Sequence, residues 1–193
     1  MARPIEYDRV EVLDQALQAF WQLGHAGCSM QILTDATGLS RQGIYNTFGD
    51  KDGFFKAVVS HYISKVEDHC QVLLRPDANS ETLKVYIKDT LAVQQAVGPG
   101  ACFIVMTAFS QQAQNPHIGP ALCAGAEVVR NAFSLVLTRA QQRQELRSHH
   151  PPEFLAGYLY SSMNGLSALA QTGASSEQID AALDLAFQVI HSK

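Results

Sequence analysis

The chain has 193 residues, 47% hydrophobic and 17% charged, with a net charge of −4. That composition excludes an intrinsically disordered polymer and suffices for one sizeable core or two small ones. No basic segment followed by an apolar run opens the sequence, and the apolar stretch Ala101 to Phe109 is too short to span a bilayer, so a cytoplasmic protein without a membrane partner is expected.

Residues 1–6 are expected to form an arm before a first helix running from about Tyr7 to Leu23, where Leu13, Ala16, Leu17, Phe20 and Trp21 make one apolar stripe. Gly24 ends that helix. Ser29 can cap a second short helix carrying Ile32, Leu33 and Ala36, and Gly38 suits its left-handed end. Leu39 plugs the corner and Ser40 caps a third helix, Arg41 to about Phe48, with Ile44 and Phe48 facing inward. Asp50 starts a fourth helix to about Leu74, whose wide apolar stripe can face two partners. A loop at 75–79 precedes a fifth helix from Ser80. No Asp, Glu, Lys or Arg occurs from Leu91 to Ala126, which predicts a well-buried centre. Gly98-Pro99-Gly100 breaks that run; a short helix is expected over 101–112, then a long one to about Leu146 after Pro116, Gly119 and Pro120. Pro151-Pro152 opens an eighth helix that carries no charge from Phe154 to Ala170, and Ser175 with Gln178 offers a capping box for a ninth. The expected fold is all-α with about nine helices, divided into residues 1–52 and 53–193.

Residues 29–51 form a helix, a glycine turn and a second capped helix, the layout of a helix-turn-helix whose second helix can enter a DNA major groove. On that helix Arg41 and Gln42 suit guanine and adenine edges, Asn46 lies one turn further on, and Gly43 permits close approach. The balance of charge opposes simple electrostatic binding: residues 1–52 hold four Lys and Arg against seven Asp and Glu, a net of −3. Weak non-specific affinity and greater reliance on groove fit are therefore expected.

Thr34-Asp35-Ala36-Thr37-Gly38-Leu39-Ser40, Gly43-Ile44-Tyr45-Asn46-Thr47-Phe48 and Gly49-Asp50-Lys51-Asp52-Gly53-Phe54-Phe55, in that order, resemble the TetR family of transcriptional regulators over about residues 8–66. The resemblance implies a three-helix DNA-binding head and a helical ligand-binding and dimerisation domain. It implies phosphate contacts for Tyr45 and Thr47, with Ser29, Gln31 and Ser40 from the preceding segment and Lys51 from the next helix. Helices at about 151–172 and 176–191 are the expected homodimer contact, the operator is expected to be a double-stranded inverted repeat, and a small-molecule inducer is expected to release it. The uncharged central run suits a neutral or apolar inducer. Tyr62, Val66, Cys102, Phe103, Met106, Phe133 and Tyr158 are the expected pocket residues.

Cys102, placed to start a short helix where a dipole would lower its pKa, supports a second expectation, a thiol that senses oxidants or electrophiles. The four cysteines show no C-x-x-C pair and the seven histidines no ligand spacing, so no metal, cofactor or disulfide frame is expected. No nucleophile elbow, phosphate loop or H-E-x-x-H motif supports catalysis. The resulting expectation is a homodimeric DNA-binding repressor. A helical ligand-binding protein with a purely structural helix-turn-helix, or a module controlling a partner protein, remain the rivals.

Overall fold

In the computed structural model, residues 7–97 and 101–191 are described; the expected arm over 1–6 and the break at 98–100 lie outside them. Among the described residues there are nine α-helices, one 3₁₀ turn and no strand. They are α1 (Arg9–Gly27), α2 (Met30–Thr37), α3 (Arg41–Phe48), α4 (Lys51–Leu74), α5 (Ser80–Val97), α6 (Phe103–Ala108), the 3₁₀ turn Gln111–Gln114, α7 (Gly119–Gln142), α8 (Pro152–Gln171) and α9 (Ser176–His191).

Helix boundaries follow local chemistry. Asp8 caps α1 by accepting from Val10 N–H at 2.8 Å. Gly24 interrupts it at φ 67°, so the expected end stands and the last turn is a separate piece beyond a kink. α5 starts at Ser80 and is capped by Asn79, whose side-chain oxygen accepts from Glu81 and Thr82 N–H, both at 3.0 Å. The Ser175–Gln178 box is reciprocal, at 2.9 and 3.3 Å. α7 stops at Gln142, short of Leu146, because Gln144 takes a left-handed φ of 59°.

Two apolar cores result. One joins α1, α2 and α3 to the front of α4 and continues into Phe103, Ile104, Ile118 and Leu122. The other gathers Cys70 and Leu73 from the rear of α4 with α5, most of α7, α8 and α9. α4 and α7 each serve both cores, which makes them the beams between head and body. The expected division after residue 52 falls within the first turn of α4, and Phe54, Phe55, Val58 and Val59 beyond it are buried in the head core. By length and composition α7 is apolar enough to cross a membrane, unlike the shorter Ala101 stretch. Its apolar residues are turned into both cores: Leu122 on the head side, Val129 to Leu137 on the body side.

Polar contacts lock the body. Arg139 and Arg143 at the end of α7 donate to the carbonyls of Arg75 (2.8 Å) and Pro76 (2.6 Å), fixing the α4–α5 loop. Lys84 and Lys88 on α5 pair with Asp184 (2.7 Å) and Asp180 (2.8 Å) on α9.

Candidate nucleic-acid interface and effector cavity

The reading head is built from two caps and two close approaches. Ser29 Oγ accepts from Ile32 N–H at 3.2 Å and Ser40 Oγ from Gly43 N–H at 3.0 Å, so both hydroxyls hold helix starts. Gly38 turns the chain between α2 and α3 at φ 67°, a conformation that costs glycine nothing. Leu39 then enters the core beside Leu33 and Ile44. At the far end of α3, a Cβ on Gly53 would lie 2.0 Å from the Phe48 carbonyl oxygen. Only glycine lets α4 start this close to the end of α3. Phe48 itself stacks on Phe54 at 4.2 Å and carries the Arg9 guanidinium 5.3 Å from its ring centroid.

These anchors leave one face of α3 open. Arg41, Gln42, Tyr45 and Asn46 are exposed, Tyr45 to 43% despite its aromatic ring. Gln42 Nε2 donates to Asn46 Oδ1 at 2.8 Å, so the two expected base readers hold each other in line along the helix. Thr47 is half-buried and accepts from the Tyr7 hydroxyl at 3.1 Å. Gln31 likewise leans on Asp35 at 2.8 Å. Lys51 stands apart from the expectation of a free phosphate contact. Its ammonium donates to the carbonyls of His25 (2.9 Å) and Cys28 (3.1 Å), pinning the α1–α2 turn to α4 and leaving one N–H over.

Several of the head's acidic residues, which weigh against DNA by count, are occupied by local partners. Asp8 and Asp50 are helix caps, and Asp52 lies 2.7 Å from His25 Nε2. Asp14 turns toward the body, 2.7 Å from His61 Nε2 and 2.5 Å from Lys65 Nζ. Burial alone would raise the Asp14 pKa, but Lys65 and His61 outweigh it and hold the carboxyl below the usual range.

Between head and body lies a cavity of about 390 Å³. α1 contributes Leu17, Gln18 and Trp21; α4 contributes Tyr62, Val66 and His69; α5 contributes Tyr86, Thr90 and Gln94. Val93, Cys102, Ile104, Val129, Tyr160 and Met163 complete the wall together with Asp14 and Lys65. The Trp21 indole N–H donates to the Ala101 carbonyl at 2.7 Å and its ring meets Tyr62 edge-on at 5.4 Å, so the head itself forms one wall.

Of the expected pocket residues, Tyr62, Val66 and Cys102 line this cavity and four do not. Phe133 is fully buried behind Tyr86, edge-on at 5.7 Å, in the centre of the body core. Phe103 and Met106 border a separate void of about 50 Å³ beside Phe20 and His25, too small for an effector. Tyr158 is on the outer face of α8, and Tyr160 takes the place assigned to it. Both flank the buried Leu159, one helical step either way, so periodicity alone does not choose between them. Gln94 was missed although its signal is legible: a polar residue continuing the stripe Leu83, Ile87, Leu91.

Cys102 does not have the character expected of a low-pKa thiol. It precedes a helix of only six residues, is buried, and has Tyr62 Oη at 3.7 Å from its sulfur. Burial pushes its pKa up, against the lowering effect of nearby backbone N–H groups and Tyr62. No group of three or more His, Cys, Asp or Glu suited to a metal occurs among the described residues.

A helix-turn-helix held rigid at both ends, with an exposed polar reading face and a cavity under its first helix, defines a DNA-binding regulator. Comparison with known sequences gives the family. The pattern described as "Bacterial regulatory proteins, tetR family" matches residues 12–58, and "Tetracyclin repressor-like, C-terminal domain" matches residues 80–186, more than half the chain. The chain belongs to the TetR family of transcriptional regulators. It is 28% identical to the HTH-type transcriptional regulator YezE of Bacillus subtilis over 98% of this chain and 100% of that protein. It is 27% identical to the transcriptional repressor ComR of Escherichia coli, over 92% and 86% of the two chains. Among solved structures, a triple cysteine mutant of the TetR family regulator CifR, complexed with 26bp double-strand operator DNA, superposes with a TM-score of 0.82. The match is 25% identical and covers 97% of this chain and 98% of that one.

Proposed function

We propose that the chain is a homodimeric repressor that binds an inverted-repeat operator and is released by a small, uncharged effector in the cavity. The exposed face of α3 carries this reading. Arg41, Gln42 and Asn46 are set to meet base edges; Tyr45, Thr47, Ser29, Gln31, Ser40 and the remaining Lys51 N–H are set to meet phosphates, with Gly43 allowing close approach. The ComR name and the operator complex of CifR support repression and double-stranded operator DNA as the partner. In this reading residues 1–52 are the DNA-binding domain and 53–193 the effector and dimer domain.

One reading helix covers too few base pairs for a genomic address, and a two-fold dimer doubles the site. α8 and α9 supply a surface for it. Phe154, exposed to 69%, together with Tyr158 and Leu169 forms an outward row on α8, and Leu185, exposed to 61%, continues it on α9. Selecting bound duplexes from a random library tests the proposal. An inverted repeat that is lost with Tyr45→Ala is the expected result; no enriched sequence from folded, ligand-free protein would refute it.

A further inference from the structure

The cavity wall carries an amide that the protein leaves open to the cavity. Gln94 is only 3% exposed, and Ser167 Oγ donates to its Oε1 at 2.5 Å. With its Oε1 taken by that bond, the amide presents at the cavity wall its N–H₂ group, for which no acceptor is found among the described residues. That N–H₂ is satisfied only by what fills the cavity, water or ligand. Two neighbouring hydroxyls have a sulfur as a possible acceptor: Tyr62 that of Cys102 at 3.7 Å and Tyr86 that of Cys70 at 3.3 Å. Sulfur is a weak acceptor, so both O–H groups can turn to a better one. The site is therefore rich in donors.

Charge is poorly received there. Asp14 and Lys65 satisfy each other, and burial raises the pKa of Tyr62, Tyr86 and Tyr160, the last to about 12. Desolvation likewise lowers the pKa of His69, against the opposing effect of Asp89. A volume of about 390 Å³ is at the small end for ligand sites and suits one or two fused rings.

We propose that the cavity binds an uncharged one- or two-ring compound through a carbonyl-type acceptor that receives the Gln94 amide N–H, its apolar body lying against Trp21, Leu17, Ile104 and Met163. This rests on the reading of the cavity as the effector site, and it narrows that effector to a chemical class.

Four probes of one shape test it on the full chain: 2-acetylnaphthalene, 2-ethylnaphthalene, 2-naphthoate and 2-naphthylmethylammonium. Affinity is read by calorimetry and by the emission of Trp21, the single tryptophan of the chain. The ketone should bind about tenfold more tightly than the hydrocarbon, the value of one well-made hydrogen bond, and more tightly than either ion. In Gln94→Leu and Gln94→Met the ketone should lose that advantage while the hydrocarbon binds as before, which also shows the cavity intact. Preference for either ion, a ketone advantage that survives both substitutions, or four probes that leave heat and Trp21 emission unchanged would overturn the proposal. A ketone that binds with the expected pattern yet leaves DNA affinity unaltered supports the ligand class and refutes only the effector role.

Discussion

Replacing Gly53 by alanine should damage the reading head more than its position in an ordinary helical turn suggests. The added Cβ would sit 2.0 Å from the Phe48 carbonyl oxygen, 3.2 Å from its carbon and 3.4 Å from Asp50 Oδ1. Ordinary contact begins at 3.4 Å, so the end of α3 must withdraw by roughly 1.4 Å. The obstructing atoms are backbone and cannot rotate away. Alanine gains about 1 kcal/mol of helix propensity over glycine, while overpacking costs about 1–3 kcal/mol or more when backbone must move. Displacement also loosens the Asp50 cap on Gly53 N–H, a 2.7 Å bond with a typical worth of about 1 kcal/mol. A net loss of about 2 kcal/mol follows from these terms. Urea denaturation followed by circular dichroism measures it, with Gly27→Ala as a control where the new Cβ meets only Leu23 Cβ at 3.4 Å. Because α3 carries the reading face, DNA affinity measured by fluorescence anisotropy should fall by at least about tenfold. A variant more stable than the parent, binding DNA equally well, would refute the close approach of α3 and α4.

Other outcomes follow from the same geometry. Gly165→Trp, placed where a Cβ meets nothing within 4 Å on the outer face of α8, should leave the chain folded but convert dimer to monomer in sedimentation; an unchanged dimer would put the interface elsewhere. Burial lowers the His25 pKa, with Lys51 adding to the effect and Asp52 opposing it, so the native state keeps the ring neutral. The stability it contributes is complete above its ordinary value of 6.5 and is lost as pH falls below that toward the lowered native value. His25→Gln should accordingly flatten the decline in stability between about pH 7 and pH 5, and an unaltered decline would dismiss this account. A thiol reagent should modify exposed Cys123 well before buried Cys28, Cys70 and Cys102. Rapid labelling of Cys102 in the native protein would restore it as a sensing candidate.

The parts of the fold that local chemistry decides were legible in the sequence. Gly24, Gly38, Ser29, Ser40, Asp50 and the Ser175–Gln178 pair mark helix ends through caps and turns that need nothing from the rest of the chain. The exposed face of α3 was legible for the same reason, since Ile44 fixes which side is buried. What a side chain touches across helices was less accessible. Lys51 looks like a free cation at a helix start until the carbonyls of His25 and Cys28 come within reach, 26 and 23 residues away in sequence. Phe133 and Tyr158 carry the right chemistry for a ligand pocket, yet one is at the centre of its stripe and the other beyond its edge. Cavities form at stripe margins, where packing is incomplete, and neighbouring helices decide which margin is left open.

The location of the cavity bears on how its occupant could act on DNA. An occupant shifts the protein between two shapes only by binding one better than the other, and a hundredfold difference supplies about 2.7 kcal/mol. A cavity walled by the body alone would have to pass that energy through the beams α4 and α7. Here Leu17, Gln18 and Trp21 belong to α1, so part of the wall moves with the head. Trp21 is tied to the Ala101 carbonyl on one side and packs on Tyr62 on the other. Any rotation of α1 against α4 that misplaces α3 must therefore change the shape of the cavity. If the cavity takes the proposed effector, linkage works in both directions: DNA that holds the head in place also selects one cavity shape, and effector affinity should differ between free and DNA-bound protein by the same factor that the effector imposes on DNA affinity.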